Sequence, residues 1–458
     1  MSSLPLEPAP QVDEPAGFLH NVNLVFITTV MVYGLAFLAA VLLARALGPS
    51  DRGIAALYQS AVSLGFAFFS LGLASAVVYF VARREVTPRL ALETGLSVTA
   101  AATLVTAIAV GVAALLWDDE LVSRGVPYWL AIVAVPAVIQ YRCVEGVLRA
   151  QGRFGRMNAL EICLPLSLLI ALGGVELTAG LTVHRAVVAW SLAFLPPVAF
   201  GYALLGLDAW PRRFAGPALL RRVLGFGVQG QLSNLLQLLN YRLDSYLVLA
   251  FVNSTGVGLY AVGVTLSEGM WFIANSVTVV FLTNITAADE SYRARMTPLV
   301  CRNTLLVTAA GAIVAGAVSP FVIPAVFGEA FEDAVPAFLW LLPGTVALAG
   351  SKVLAAYVFS RGKPLINAWI ALATLIVTVA VDVVLIPAFG VAGAAAGASF
   401  AYAVSLVLTA IAYRRLSGAS IFDAIVPRPA DATYYVEGLR SVTGRMSLGR
   451  GAARIENP

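Results

Sequence analysis

Charge is scarce in this chain. Only 12% of its 458 residues are Asp, Glu, Lys or Arg, while 60% are hydrophobic, and the mean hydropathy is +0.87. A soluble domain carries roughly twice that share of charge, so a water-soluble fold is excluded. Histidine and cysteine are also sparse, at two and three residues. Cys143, Cys163 and Cys301 fall in or beside apolar stretches, which argues against a disulfide framework and for small buried hydrophobes. Zinc-like spacing, a Gly-rich phosphate loop and a nucleophile constellation are all missing. No cofactor, metal, nucleic-acid partner or enzymatic activity is expected. The N-terminal "MSSLPLEPAPQVDEPAG" has no basic n-region and no small-residue cleavage site. Its first apolar stretch therefore reads as a retained span, not a signal peptide.

What the chain does have is apolar length. Windows of 18 or more apolar residues recur throughout, each long enough to cross a hydrocarbon core about 30 Å thick. The length rule gives about 12 spans, at 22–45, 54–82, 91–117, 126–149, 157–175, 186–206, 223–252, 256–282, 303–327, 334–359, 364–388 and 391–413. The fold class is an all-α polytopic membrane protein. Basic residues alternate between loops: Arg83, Arg84 and Arg89 follow span two, and Arg212, Arg213, Arg221 and Arg222 follow span six. The opposite loops are poor in Lys and Arg, and several are acidic, as in "WDDE" at 117–120 and "GEAFED" at 328–333. The positive-inside rule then makes both termini cytoplasmic.

The chain also repeats itself. "LGPSDRGIAALYQSAV" (47–62) is similar to "LAFVNSTGVGLYAVGV" (249–264), and "YRCVEGVLRAQGRFGRMN" (141–158) to "SKVLAAYVFSRGKPLIN" (351–367). Two six-span units in the same orientation imply pseudo-two-fold symmetry about the membrane normal. The expected organisation is a cytoplasmic tail at 1–21, a first six-helix lobe at 22–206 and a basic linker at 207–222. A second lobe follows at 223–413, then a cytoplasmic tail at 414–458 with too little apolar content to order.

Aligning Gly152 with Gly362 sets Arg142 opposite Lys352. Each lies ten residues before its glycine, roughly 15 Å along a helix and close to the bilayer midplane. A basic residue there costs about 2.5–3.5 kcal/mol. Two such cations suit a shared central site for an anion. The plainer alternative is a private partner for each; Glu145, three residues after Arg142, is placed to be one. Span seven is the most polar. Ser233, Asn234, Gln237, Asn240, Tyr241, Asp244 and Ser245 share a helical face about 140° wide, which suits a water-filled cavity or, alternatively, hydrogen bonding between helices. Asn234, Gln237, Asn240 and Asp244 are accordingly candidate substrate contacts. Arg242 lies about 160° round the helix from Asp244, at roughly the depth of Glu268 in the next span, and a structural Arg242–Glu268 pair is expected. Asp382 and Glu161 sit within about two turns of a span end, where the interface is in reach.

Several stretches together resemble the O-antigen type polysaccharide flippases of the multidrug/oligosaccharidyl-lipid/polysaccharide exporter superfamily. They are "ARALGPSDRGIAALYQ" (44–59), "LRAQGRFGRMN" (148–158), "LLNYRLDSYLVLAFVNSTGVGLYAVG" (238–263), "FGEAFEDAVPAFLWLLPG" (327–344), "FSRGKPLINAW" (359–369) and "IPAFGVAGAAAGASFAYAV" (386–404). The resemblance implies a V-shaped bundle in a bacterial inner membrane. Such a bundle would move a lipid-pyrophosphate-linked oligosaccharide outward by alternating access, beside polysaccharide-assembly proteins. It extends the candidate cavity cations from Arg142 and Lys352 to Arg242 and Arg45. Drug-extruding relatives place a carboxylate in the first span, and this chain has none there. The rival expectations are a multidrug antiporter, which would want intramembrane acids, and a membrane glycosyltransferase or polymerase, which would want a large outer loop.

Overall fold

Nearly every backbone amide in the bilayer must find its partner within its own segment, and a helix is the structure that allows this. The computed structural model describes residues 15–116, 127–287, 289–426 and 428, and among them the regular structure is helical throughout. In chain order the helices are α1 (Pro15–Ser70), α2 (Leu73–Ala82), α3 (Pro88–Leu116), α4 (Ala131–Ala150), α5 (Phe154–Ala179), α6 (Val183–Leu192), α7 (Leu195–Leu205), α8 (Pro217–Phe251), α9 (Ser254–Ala287), α10 (Glu290–Phe327), α11 (Ala334–Ser360), α12 (Pro364–Ser417) and α13 (Ile421–Ile425). Nine of the described helices are long and apolar enough to cross a membrane. The polar α8 is not among them.

Two of the expected inter-span connections shrink to single residues. Gly48 (φ 69°, ψ 174°) breaks α1 into the first two spans, and Gly390 (φ 58°, ψ −133°) divides α12 into the last two. Positive φ costs glycine almost nothing, and Pro49 then begins the next helix with the φ it requires. Conversely, two expected spans are interrupted. The span at 54–82 breaks at Leu71 and Gly72, both at positive φ, and the span at 186–206 breaks between α6 and α7. Pro197 explains the second break. It has no N–H for the Ala193 carbonyl, which instead accepts from Ser167 Oγ on α5 at 2.9 Å.

The apolar cores divide the chain in sequence. One cluster draws its buried members from Ile54 to Val223, while two others are built almost wholly from residues beyond Val248. The start of α1 contacts both sides: Ala39 and Leu43 pack with Leu172 and Ala186, and Ala44 with Leu259 and Phe327. The halves meet in two backbone crossings. In the first, the second part of α1 lies on α9. A Cβ at Gly53 would fall 2.8 Å from Gly258 N, and one at Gly258 would fall 3.1 Å from Gly53 N; beside them Ser50 Oγ and Ser254 Oγ are 3.0 Å apart. In the second, the turn before α2 lies on α8, where a Cβ at Gly227 would fall 2.9 Å from the Gly72 carbonyl carbon. Gln231 Nε2 donates to Ala67 O at 2.8 Å nearby, and Tyr79 stacks on Phe226 with centroids 4.3 Å apart.

Order extends past residue 414, where the tail was expected to lose it. The last span continues to Ser417, and α13 follows with Ala424 fully buried. Arg302 Nη1 donates to Asp423 O at 3.0 Å, tying α13 to α10. The remainder of the tail, like the acidic "WDDE" loop, lies outside the described residues.

Gly53 and Gly258 have no room for a side chain between them. Gly258→Val is expected to destabilise the fold by about 1–3 kcal/mol, the usual cost of overpacking. Gly225→Ala, at a position with open space around it, should leave stability unchanged. Thermal unfolding of the purified proteins in detergent measures both.

Candidate functional site

A cavity of about 500 Å³ lies beside the second crossing, bounded by α1, α2, α4, α5, α6 and α8. Its polar lining comes from Ser63, Ser70, Ser75, Arg142, Gln231 and Asn234. Arg142 and Asn234 therefore line one cavity, whereas the sequence set Arg142 opposite Lys352. The Arg142 side chain is 48% exposed and pairs with Glu145 at 2.8 Å. Glu145 is buried and also binds Arg149 at 2.5 Å, and Arg149 lies 3.6 Å from Glu161. Glu161 thus joins a network of two arginines and two carboxylates, rather than standing alone near a span end. Glu145 fixes one face of the Arg142 guanidinium; the rest faces the cavity.

Lys352 is not in that lining. It sits in the second half, where its Nζ donates to Asn275 Oδ1 at 2.7 Å and lies 4.7 Å from the Trp271 ring centroid. Arg242 Nη1 lies 3.2 Å from Glu268 Oε1, and Glu268 is also within electrostatic reach of Lys352. Arg52 completes this group. Its side chain is buried at 5% exposure, Arg242 is within electrostatic reach, and its Nε and Nη1 have no hydrogen-bond partner among the described residues. Arg242 and Lys352 thus share one carboxylate, Glu268, and Arg52 lies within electrostatic reach of Arg242. Arg52 went unassigned in the sequence. It follows the Gly48–Pro49 break directly, and its only sequence signal was its place in the repeated "PSDRG" segment.

Three further candidates are placed differently. Asn240, at 1% exposure, donates through Nδ2 to Ala371 O at 2.9 Å and accepts from Thr378 at 3.2 Å. It holds α8 to α12 and does not line the cavity. Asp244, also at 1% exposure, accepts from Tyr260 OH at 2.7 Å. Asp382 is fully buried, with its carboxyl against that of Asp244, whereas the sequence placed it in reach of the interface. The polar stripe of α8 thus splits. Its first part, from Gln231 to Asn234, meets the cavity, and its later part bonds to other helices. Gln237 is half-buried between the two. Arg45 is not a cavity cation either. Its Nε donates to Val326 O at 2.7 Å and its Nη2 to Ala325 O at 2.5 Å, satisfying carbonyls at the C-terminal end of α10, where a cation is favoured. No group of three metal-ligating side chains occurs among the described residues.

Residues 18–282 match the family model described as polysaccharide biosynthesis protein, which is more than half of the chain. The chain belongs to that family. No curated protein matches it, but solved structures share its fold. An inward-facing multidrug resistance MATE family transporter of the MOP superfamily is 16% identical, with a TM-score of 0.73 over 84% of this chain and 94% of that one. The lipid II flippase MurJ in an inward closed conformation is 10% identical, with a TM-score of 0.68 over 86% and 89%. A Vibrio cholerae MATE transporter is 16% identical, with a TM-score of 0.62 over 89% and 99%. This member of the polysaccharide biosynthesis protein family thus has a polytopic helical fold like that of these transporters.

The Asp244–Tyr260–Asp382 contact makes opposite demands of its members. Tyr260→Phe should destabilise by about 1–3 kcal/mol, because it leaves a buried acceptor without its donor. Asp382→Asn keeps the size of the side chain and sets a neutral amide donor beside the Asp244 carboxyl, and is expected to hold or raise the melting temperature. Parallel melting curves in detergent compare the two.

Proposed function

We propose that this protein is a flippase that carries a lipid-pyrophosphate-linked oligosaccharide from the cytoplasmic to the outer leaflet of a bacterial inner membrane, for cell-surface polysaccharide assembly. The observation that carries the reading is the cationic group between the halves. Leaving part of a buried guanidinium without partners is costly, and Arg52 keeps two such nitrogens within electrostatic reach of Arg242. An anion completes this arrangement, and a pyrophosphate offers the oxygens that guanidinium groups bind best. The polar cavity beside Arg142 and Asn234 supplies hydrogen-bonding surface for the sugars.

Placing the basic loops in the cytoplasm gives the transport its direction. An inside-negative potential favours outward movement of a negative headgroup by about 2.3 kcal/mol per charge per 100 mV. The family membership supports a saccharide substrate. A drug antiporter shares the fold, but it would want intramembrane carboxylates in the first half, and the first span of this chain has none. The two lobes, with Arg142 in one and Lys352 in the other, would present these groups alternately to the two leaflets.

Depletion of the protein is expected to trap lipid-linked repeat units on the cytoplasmic leaflet, read by accessibility to an added glycan-modifying enzyme in right-side-out vesicles. Normal display together with altered drug sensitivity sinks the reading. Arg52→Gln, or Arg142→Ala with Lys352→Ala, should cut export at least tenfold at unchanged protein level. Wild-type export by both variants removes the anion site.

A further inference from the structure

Apart from the cavity that Arg142 lines, a furrow of about 970 Å³ lies between α5 and the α6–α7 pair. Its walls are almost wholly apolar: Leu166 and Ile170 on one side and Leu192 on the other, exposed by 41%, 64% and 43%. Alanines at 171, 189 and 193 keep its floor deep. These are membrane-spanning helices, so hydrocarbon fills the furrow. Its length says which kind. From Cys163 to Ala179 it runs along α5 for 16 residues, about 24 Å at 1.5 Å per residue. One leaflet of the hydrocarbon core is only about 15 Å deep, half of 30 Å. A chain lying in the furrow therefore crosses the midplane, which an acyl chain confined to its own leaflet does not do.

One end is charged. His184 and Arg185 border the furrow where α6 begins. Arg185 is anchored through Nη1 to the carbonyls of Ala179 and Gly180, which leaves Nε and Nη2 to meet a phosphate oxygen. The furrow also shares its helices with the central cavity. Leu164, Trp190 and Phe194 line the cavity, while their neighbours Cys163, Ala189 and Ala193 line the furrow. One layer of helix separates the two.

We propose that this furrow seats the polyisoprenoid tail of the transported lipid, with its diphosphate brought to Arg185 once the headgroup has crossed. The inference rests on the flippase reading and adds a place for the tail. Head and tail then occupy opposite faces of α5 and α6, and the headgroup can cross through the cavity while the chain stays in hydrocarbon.

The test uses the full chain in phosphatidylcholine nanodiscs and a long-chain polyisoprenyl diphosphate carrying a photoactivatable group in its tail. Crosslinks are expected on peptides spanning 163–196. Excess unlabelled polyisoprenyl diphosphate should reduce them at least fivefold, and the same excess of phosphatidic acid should not. Leu166→Trp combined with Leu192→Trp fills the furrow from side chains that already face lipid. Its melting temperature should stay within about 2 °C of the parent, because surface substitutions are usually small in effect, while labelling falls at least fivefold. Arg185→Gln should weaken labelling by the diphosphate but not by the corresponding polyisoprenol. Labelling elsewhere in the chain, undiminished labelling of the filled variant, or equal competition by phosphatidic acid overturns the proposal. The two readings fail separately. Labelling in the furrow with normal leaflet distribution after depletion breaks the transport reading alone. Unchanged transport by the filled variant, with its labelling undiminished, breaks the furrow alone.

Discussion

Taking a cation out of water is the largest local cost in a chain this apolar, and the arrangement of the helices follows from how each cation is compensated. Arg45 spends its donors on the carbonyls at the end of α10, and Arg142 shares Glu145 with Arg149. Arg242 has Glu268, and Lys352 rests on Asn275 and the Trp271 face. The helices that supply these partners are held in register by them. Arg52 sits where the halves meet, and its Nε and Nη1, like Arg242 Nε, have no hydrogen-bond partner among the described residues.

The halves meet at the Gly53–Gly258 crossing, beside Arg52, and at the Gly72–Gly227 crossing, beside the cavity. With no side chains in the way, backbones approach closely enough for dispersion and Cα–H contacts to act along the whole contact, as small residues allow between membrane helices. Such contacts do not interlock as large side chains do. Larger side chains lock beside the second crossing, where Tyr79 stacks on Phe226 and Gln231 donates to Ala67 O.

Much of this was legible in the sequence. Apolar length located the helices because a bilayer requires a fixed run of them, and charge depth singled out Arg142, Arg242 and Glu268. What was hidden is tertiary. A helical wheel assigns Asn234 and Asp244 to one face, but α8 passes from the cavity into contact with α9 and α12 between those two residues. Asp382 was misjudged because its depth was counted from a span end, whereas it faces the Asp244 carboxyl within the bundle. Arg45 and Arg52 are seven residues apart and similar in type. Only the three-dimensional neighbours show that one caps a helix and the other waits. The breaks at Leu71 and at Pro197 likewise depend on what passes beside them, α8 in the first case and Ser167 in the second.

The glycine crossings also bear on how such a protein can change over generations. At an ordinary helix contact, a larger residue on one side can be accommodated by a smaller one opposite, and lineages drift through such exchanges. Gly53 faces Gly258, and nothing smaller than glycine exists to make that concession. The pair is fixed from both sides at once. Sequence change must then proceed elsewhere, for instance in residues that line the cavity and the furrow, while this contact between the halves stays as it is.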